Sequence, residues 1–216
     1  MKKEEFLDKL KIELKISKNS RYTLRNYLRA NSELLNFVAK EPEHIAEDDV
    51  KAFMAEKISD RSSSSIVIFL SAVKYAFLTI LKRDVTQGIK RPKRERKIPA
   101  VLTKEEVKRL FEATRTQKSR LMLEIIYACG FRVSELINLK IYDLDFKERI
   151  GHVRQAKGKK DRIFNIPHFL EKKLEKQVES QKIQNQEYLF TGPKGKLSDR
   201  NLQKIVRIAA KKAEIG

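Results

Sequence analysis

The sequence predicts a mainly α N-terminal domain of four helices followed by an α+β C-terminal domain that carries a small three-stranded antiparallel sheet. Residues 1–86 keep a helical spacing of apolar side chains throughout. The stretch from Gly88 to Pro99 holds two prolines, one glycine and a basic run without any hydrophobic period, which marks a linker. Beyond it, short strand-like pieces interrupt the helical pattern. Boundaries follow at 1–87 for the helical domain, 88–100 for the basic linker and 101–216 for the second domain.

In the first domain, helices are expected near Glu4–Ile16 and Glu47–Ile58, with two more between and after them. Ser20 is a good N-cap for a helix reaching about Ala39, with Leu24, Leu28, Leu35 and Val38 on one face and Arg21, Arg25 and Arg29 on another. No acid stands between those arginines, so the stripe is read as facing phosphate, although a solvated face has the same pattern. The run Ser62–Ser65 opens a further helix, because Ile66, Phe69, Leu70, Val73, Phe77, Ile80 and Leu81 keep the helical period after it.

The second domain opens on Thr103-Lys104-Glu105-Glu106, a capping box, with Val107, Leu110 and Phe111 as the apolar face. A helix near Ser119–Ala128 ends at Gly130, and a short one over Arg132–Leu139 follows. Strands are expected at Ile141–Phe146, Ile150–Gln155 and Arg162–Ile166, the last two joined by the turn from Ala156 to Asp161. Pro167 starts a helix marked by Leu170, Leu174 and Val178. The final helix, Ser198 to about Glu214, turns Leu202, Ile205, Val206, Ala209 and Ala213 inward and Arg200, Lys204, Arg207 and Lys211 outward.

Composition narrows the partners. Of the 216 residues, 36% are charged, and no apolar run approaches the roughly 20 residues that span a bilayer. The start Met1-Lys2-Lys3-Glu4-Glu5 lacks the apolar block of a signal peptide, so the chain is expected in the cytoplasm and away from membranes. The single cysteine, Cys129, excludes an internal disulfide, and three scattered histidines leave no metal-ligand cluster. Net charge is +19, and the basic surplus grows from 4 over residues 1–90 to 11 over residues 98–216. A surplus of that size points to a polyanion, of which nucleic acid is the common one, with ribosome binding or plain solubility as the alternative. The linker's Arg91, Lys93 and Arg94 would lie well along a DNA backbone.

The stretch Tyr127-Ala128-Cys129-Gly130-Phe131-Arg132-Val133-Ser134-Glu135-Leu136 bears most on chemistry. It sets an arginine at the first turn of a helix directly after a glycine break, where the positive end of the helix dipole disfavours a cation. A bound phosphate would relieve that repulsion; an exposed ion pair with Glu135, three residues on, is the alternative.

This motif, the Lys157-Gly158-Lys159-Lys160-Asp161-Arg162 hairpin about 25 residues later, then a helix, Tyr188-Leu189-Phe190 and a closing amphipathic helix together resemble the tyrosine recombinases, the phage integrase and Xer-like family. The likeness covers nearly the whole chain, and the all-helical part before the linker resembles the family's core-binding domain. It implies an enzyme fold that cleaves and rejoins DNA through a covalent 3′-phosphotyrosine, with no metal or nucleotide cofactor. It also implies double-stranded DNA and further recombinase protomers as partners, four of them in a complete synapse. On matching positions, Arg132 takes the role of the first catalytic arginine and Lys157 that of the hairpin lysine that protonates the leaving 5′-oxygen. Glu135 matches the acid that supports the arginine cluster. These residue types suit the reaction, because a planar guanidinium engages non-bridging oxygens bidentately and a poor alkoxide leaving group needs an acid. Lys159 or Lys160 could fill the same part as Lys157 and otherwise contact DNA.

Past this point the family pattern stops. The family continues into His-x-x-Arg, a second His or Trp, and the nucleophilic tyrosine. Here His44, His152 and His168 are followed at the third position by Glu47, Gln155 and Glu171, and Tyr188, the last tyrosine, matches a structural position. The reading is therefore a recombinase lacking the end of its catalytic domain and inactive alone. The alternatives are a chain completed by another, or a non-catalytic DNA-binding regulator that uses the same clamp.

Overall fold

The computed structural model describes residues 1–93, 99–154 and 161–215, and the chain divides into two compact units, Met1–Pro99 and Ala100–Gly216. The first holds the helices α1 (Lys3–Ile16), α2 (Arg21–Val38), α3 (Glu47–Phe53) and α4 (Ser63–Leu81). Ser20 caps α2 by accepting the Thr23 N–H at 3.1 Å, and Ser62 caps α4 by accepting the Ser65 N–H at 3.3 Å, so the serine run is a helix start. The helix expected over Glu47–Ile58 is regular only to Phe53 and continues as a π-helical turn over Met54–Ile58.

Helix α4 corrects one reading of the sequence, for it is by length and composition apolar enough to cross a membrane. In this unit it is a core helix. Phe69, Leu70, Ala72, Val73, Ala76 and Phe77 are buried along it, against Phe6, Leu10 and Leu14 of α1 and Leu34 and Leu35 of α2. Fully burying the Phe, Leu and Val side chains among these is worth about 1.5–3 kcal/mol each. Buried Asn31 fixes the register of α2 on α4, its amide donating to the Tyr27 carbonyl at 2.9 Å and the Ala72 carbonyl at 3.1 Å.

The second unit begins with α5 (Lys104–Glu112), capped reciprocally by Thr103 and Glu106. Then come α6 (Gln117–Cys129) and α7 (Val133–Asn138). Gly130 ends α6 with φ of +62°, a left-handed position that glycine takes without cost, and this reversal starts α7. The sheet has order β1 (Leu144–Asp145), β2 (Ile150–Val153) and β3 (Arg162–Asn165), all antiparallel, with Val153 opposite Arg162 and Gly151 opposite Phe164.

Its first strand is far shorter than Ile141–Phe146. Ile141–Asp143 is a 3-10 turn, because the Asp143 carboxylate accepts the Lys140 N–H at 3.0 Å and so favours a capped turn over a ladder. Helix α8 (His168–Ile183) follows Pro167. A two-stranded hairpin, β4 (Thr191–Gly192) and β5 (Gly195–Lys196), has no counterpart among the strands expected from the sequence, and α9 (Asp199–Lys212) is the last of the described helices. Leu202 and Ala209 of α9 and Ala213 just past its end are buried and Ile205 is half-buried, so of the expected inward set Val206 alone is exposed.

The core of this unit joins Leu121, Met122 and Ile125 of α6 to Leu136, Phe164, Leu170, Leu174, Phe190 and Leu202. Buried Glu124 ties α6 to α8, taking Arg120 at 2.9 Å and Lys173 at 2.7 Å.

Candidate nucleic-acid interface and phosphate site

Arg132 stands at the N-cap of α7, one position ahead of the first turn, with extended backbone at φ −73° and ψ 153°. Glu135 decides this. Its Oε2 accepts the Arg132 N–H at 3.1 Å while its Oε1 takes the Arg132 guanidinium at 2.6 Å, so a carboxylate occupies the positive end of the helix. The ion pair held open as an alternative thus exists, and it leaves the Arg132 side chain 59% exposed above a Glu135 side chain that is 3% exposed.

Arg162, which ends the hairpin motif and starts a strand in the sequence but is not among the expected site residues, completes the cluster. Its Nη2 donates to Glu135 Oε2 at 2.8 Å, and its guanidinium lies 5.1 Å from the centre of the Phe131 ring. Burial pushes the Glu135 carboxyl up, but the hydrogen bonds from Arg162 and from the Arg132 N–H and guanidinium outweigh it and hold the group below the usual carboxylate range. One buried anion thus orients two arginines, and the exposed one projects a planar donor set able to grip a phosphate. The signal available in the sequence was the position of Arg162 at the hairpin exit, opposite Val153; its reach to α7 is a matter of tertiary packing.

Lys157, Lys159 and Lys160 of the hairpin, and Arg94 of the linker, lie outside the described residues. The remaining candidates are all exposed: Arg21, Arg25 and Arg29 on α2, Arg91 and Lys93 near the end of the first unit, and Arg200, Lys204, Arg207 and Lys211 on α9. Arg29 is committed to Glu33 at 2.6 Å, and Arg25 lies over the Tyr22 ring, so the α2 stripe is partly paired. Among the described residues no group of His, Cys, Asp and Glu is arranged to hold a metal ion. Cys129 is half-buried, and burial raises its thiol pKa against the opposing charge of Arg162.

The phage integrase family matches residues 100–216, and the N-terminal SAM-like domain of phage integrases matches residues 6–87. The chain belongs to the phage integrase family, the tyrosine recombinases. A tyrosine recombinase of Pseudothermotoga lettingae is 36% identical over 74% of this chain and 58% of its own length. The tyrosine recombinase XerA of Pyrococcus horikoshii is 32% identical over 97% of this chain and 70% of its own. The chain thus spans less than two thirds of the Pseudothermotoga relative.

Among solved structures, XerA recombinase is 28% identical with a TM-score of 0.50, covering 99% of this chain and 78% of that one. A lambda integrase tetramer bound to a Holliday junction superposes with a TM-score of 0.80 at 18% identity, over 99% of this chain and 64% of that one, a likeness of fold. The helical first unit and the small antiparallel sheet of the second are the recombinase architecture.

Proposed function

We propose that this tyrosine recombinase chain grips duplex DNA through both of its domains and sets Arg132 on the phosphodiester to be cleaved. The observation that supports this most is buried Glu135, which holds Arg132 exposed and oriented and is itself held by Arg162. A buried carboxylate costs several kcal/mol to desolvate, and it is retained here by two guanidinium partners at a surface of net positive sequence.

In this reading, Arg132 neutralises the non-bridging oxygens as charge grows on them in an in-line displacement. The tyrosine oxygen forms its bond to phosphorus as the bond to the 5′-oxygen breaks, and Lys157 supplies the proton to that leaving oxygen. Glu135 positions the arginine and does not touch the reacting atoms. The nucleophilic tyrosine comes from outside these 216 residues. Tyr188 instead lies under Lys196 and Lys140, whose ammonium groups are 4.5 and 5.8 Å from its ring centre. Further protomers on the same DNA are the partners this reading requires for strand exchange.

A nicked suicide duplex, which traps the phosphotyrosine intermediate, tests the proposal. The 216-residue chain should bind it without forming a covalent adduct. Supplying a segment or partner that carries His-x-x-Arg and the tyrosine should restore the adduct, and Lys157→Ala should slow it unless the leaving group is a 5′-thiol. A completed chain that binds DNA and never forms the adduct is the result expected of a non-catalytic regulator.

A further inference from the structure

The second unit has another built arginine. Asp143, with its side chain 3% exposed, accepts the Lys140 N–H through Oδ2 at 3.0 Å and Arg154 Nε through Oδ1 at 2.7 Å, while the Arg154 side chain remains 60% exposed. This is the same device as Glu135 beneath Arg132: a buried carboxylate fixes an outward-facing guanidinium. Arg154 borders a cleft of about 340 Å³ lined by Asn138, Lys140, Tyr142, Asp143 and Tyr188. At its edge, Lys196 bonds to Asn138 Oδ1 and rests on the face of Tyr188, so its ammonium is also held in place.

The two carboxylates of the cleft are already engaged. Asp143 is occupied as above, and Glu187 takes the Lys140 ammonium and, at 2.6 Å, the Tyr142 hydroxyl. Asp161 also acts on Arg154 through its charge, so Lys140, Arg154 and Lys196 face three carboxylates, and what the cleft offers an anion is the outward-facing donors of Arg154 and Lys196 beside polar and aromatic groups. The site also shares its frame with the Arg132 site. Asn138 is the last residue of α7, whose N-cap is Arg132, a separation of about 9 Å at helical rise. Arg154 follows Val153, the cross-strand partner of Arg162. Each strand of a duplex offers one charge per roughly 3.4 Å of axis, so a strand laid on Arg132 has another phosphate within that span.

We propose that the cleft between Asn138, Arg154 and Lys196 is a second phosphate site, which holds the backbone of the same duplex beside the phosphate gripped by Arg132. It rests on the DNA-binding reading above. Arg154 and Lys196 donate to the phosphate oxygens, and contacts of this kind fix register without reading sequence.

The test is fluorescence anisotropy of a labelled 30-base-pair duplex with the 216-residue chain across a salt series. Lys196→Gln, which leaves Asp143 paired with Arg154 and Glu187 with Lys140, should weaken binding roughly threefold to tenfold and lower the slope of log affinity against log salt by about 1. Arg154→Gln should do the same, with thermal melting to confirm that Asp143 tolerates the loss. Lys182→Gln, an exposed lysine at the far end of α8, should leave both unchanged. If Lys196→Gln and Arg154→Gln bind with wild-type affinity and slope while Arg25→Gln weakens binding, the second site is wrong and the DNA reading stands. If the wild-type chain shows no salt-dependent affinity, the DNA reading falls and this site with it.

Discussion

Glu135 on α7 and Arg162 on β3 are 27 positions apart in sequence, yet a 2.8 Å bond joins them beneath the exposed guanidinium of Arg132. This bond ties the short arginine helix to strand β3. Two arginines from separate elements are therefore held through one buried carboxylate.

The pairing gives acid pH a defined effect. A carboxylate whose folded pKa lies below its unfolded value of about 4.3 stabilises the fold above that value, and the contribution disappears as pH falls through the depressed folded value. Burial opposes this and the Arg162 and Arg132 hydrogen bonds overcome it, so the net direction for Glu135 is downward. Glu135→Gln should melt at lower temperature than wild type at pH 7, and the gap should narrow below about pH 4. Thermal melts across pH 3–7 read this directly; a gap that widens in acid would contradict the direction.

Salt sensitivity should be steep for the wild-type chain. Contact with about six to ten phosphates loses roughly three to five decades of affinity between 50 and 200 mM salt. Replacing Arg21 and Arg25 together by Gln should lower both affinity and slope. Arg29→Gln should matter less, because Arg29 is paired with Glu33. Flat affinity with salt would remove the clamp altogether.

Arg132→Ala should leave overall DNA affinity within roughly tenfold, since one phosphate contact among several is lost. In a chain completed with the nucleophilic segment it should abolish strand cleavage, because that contact strengthens in the transition state. Normal cleavage by such a variant would defeat the role given to Arg132.

Gly130→Ala places a Cβ in open space but at φ of +62°, so the expected cost is strain without a clash, about 1–2 kcal/mol. Denaturant unfolding should show it as a lower midpoint with an unchanged slope.

Tyr188→Phe should change neither DNA affinity nor adduct formation by the 216-residue chain, as Tyr188 presents its ring to Lys196 and Lys140. A covalent adduct of the wild-type chain that vanishes in this variant would make Tyr188 the nucleophile.

Local chemistry is what the sequence determined by itself. Ser20, Ser62 and Thr103 start helices because their hydroxyls take N–H groups three residues on, and Gly130 ends one because only glycine enters the left-handed region freely. The apolar period placed the core helices, and the spacing of Arg132, Glu135 and Lys157 carried the family. Tertiary structure alone decided the rest. Arg162 is one basic residue among many until β3 brings it to Glu135, and Asp143 read as part of a strand until its carboxylate closed a turn and took Arg154. A sequence shows which side chains carry charge, but burial decides which carboxylate is taken from water and must find partners, and those partners lie 11 and 27 residues away.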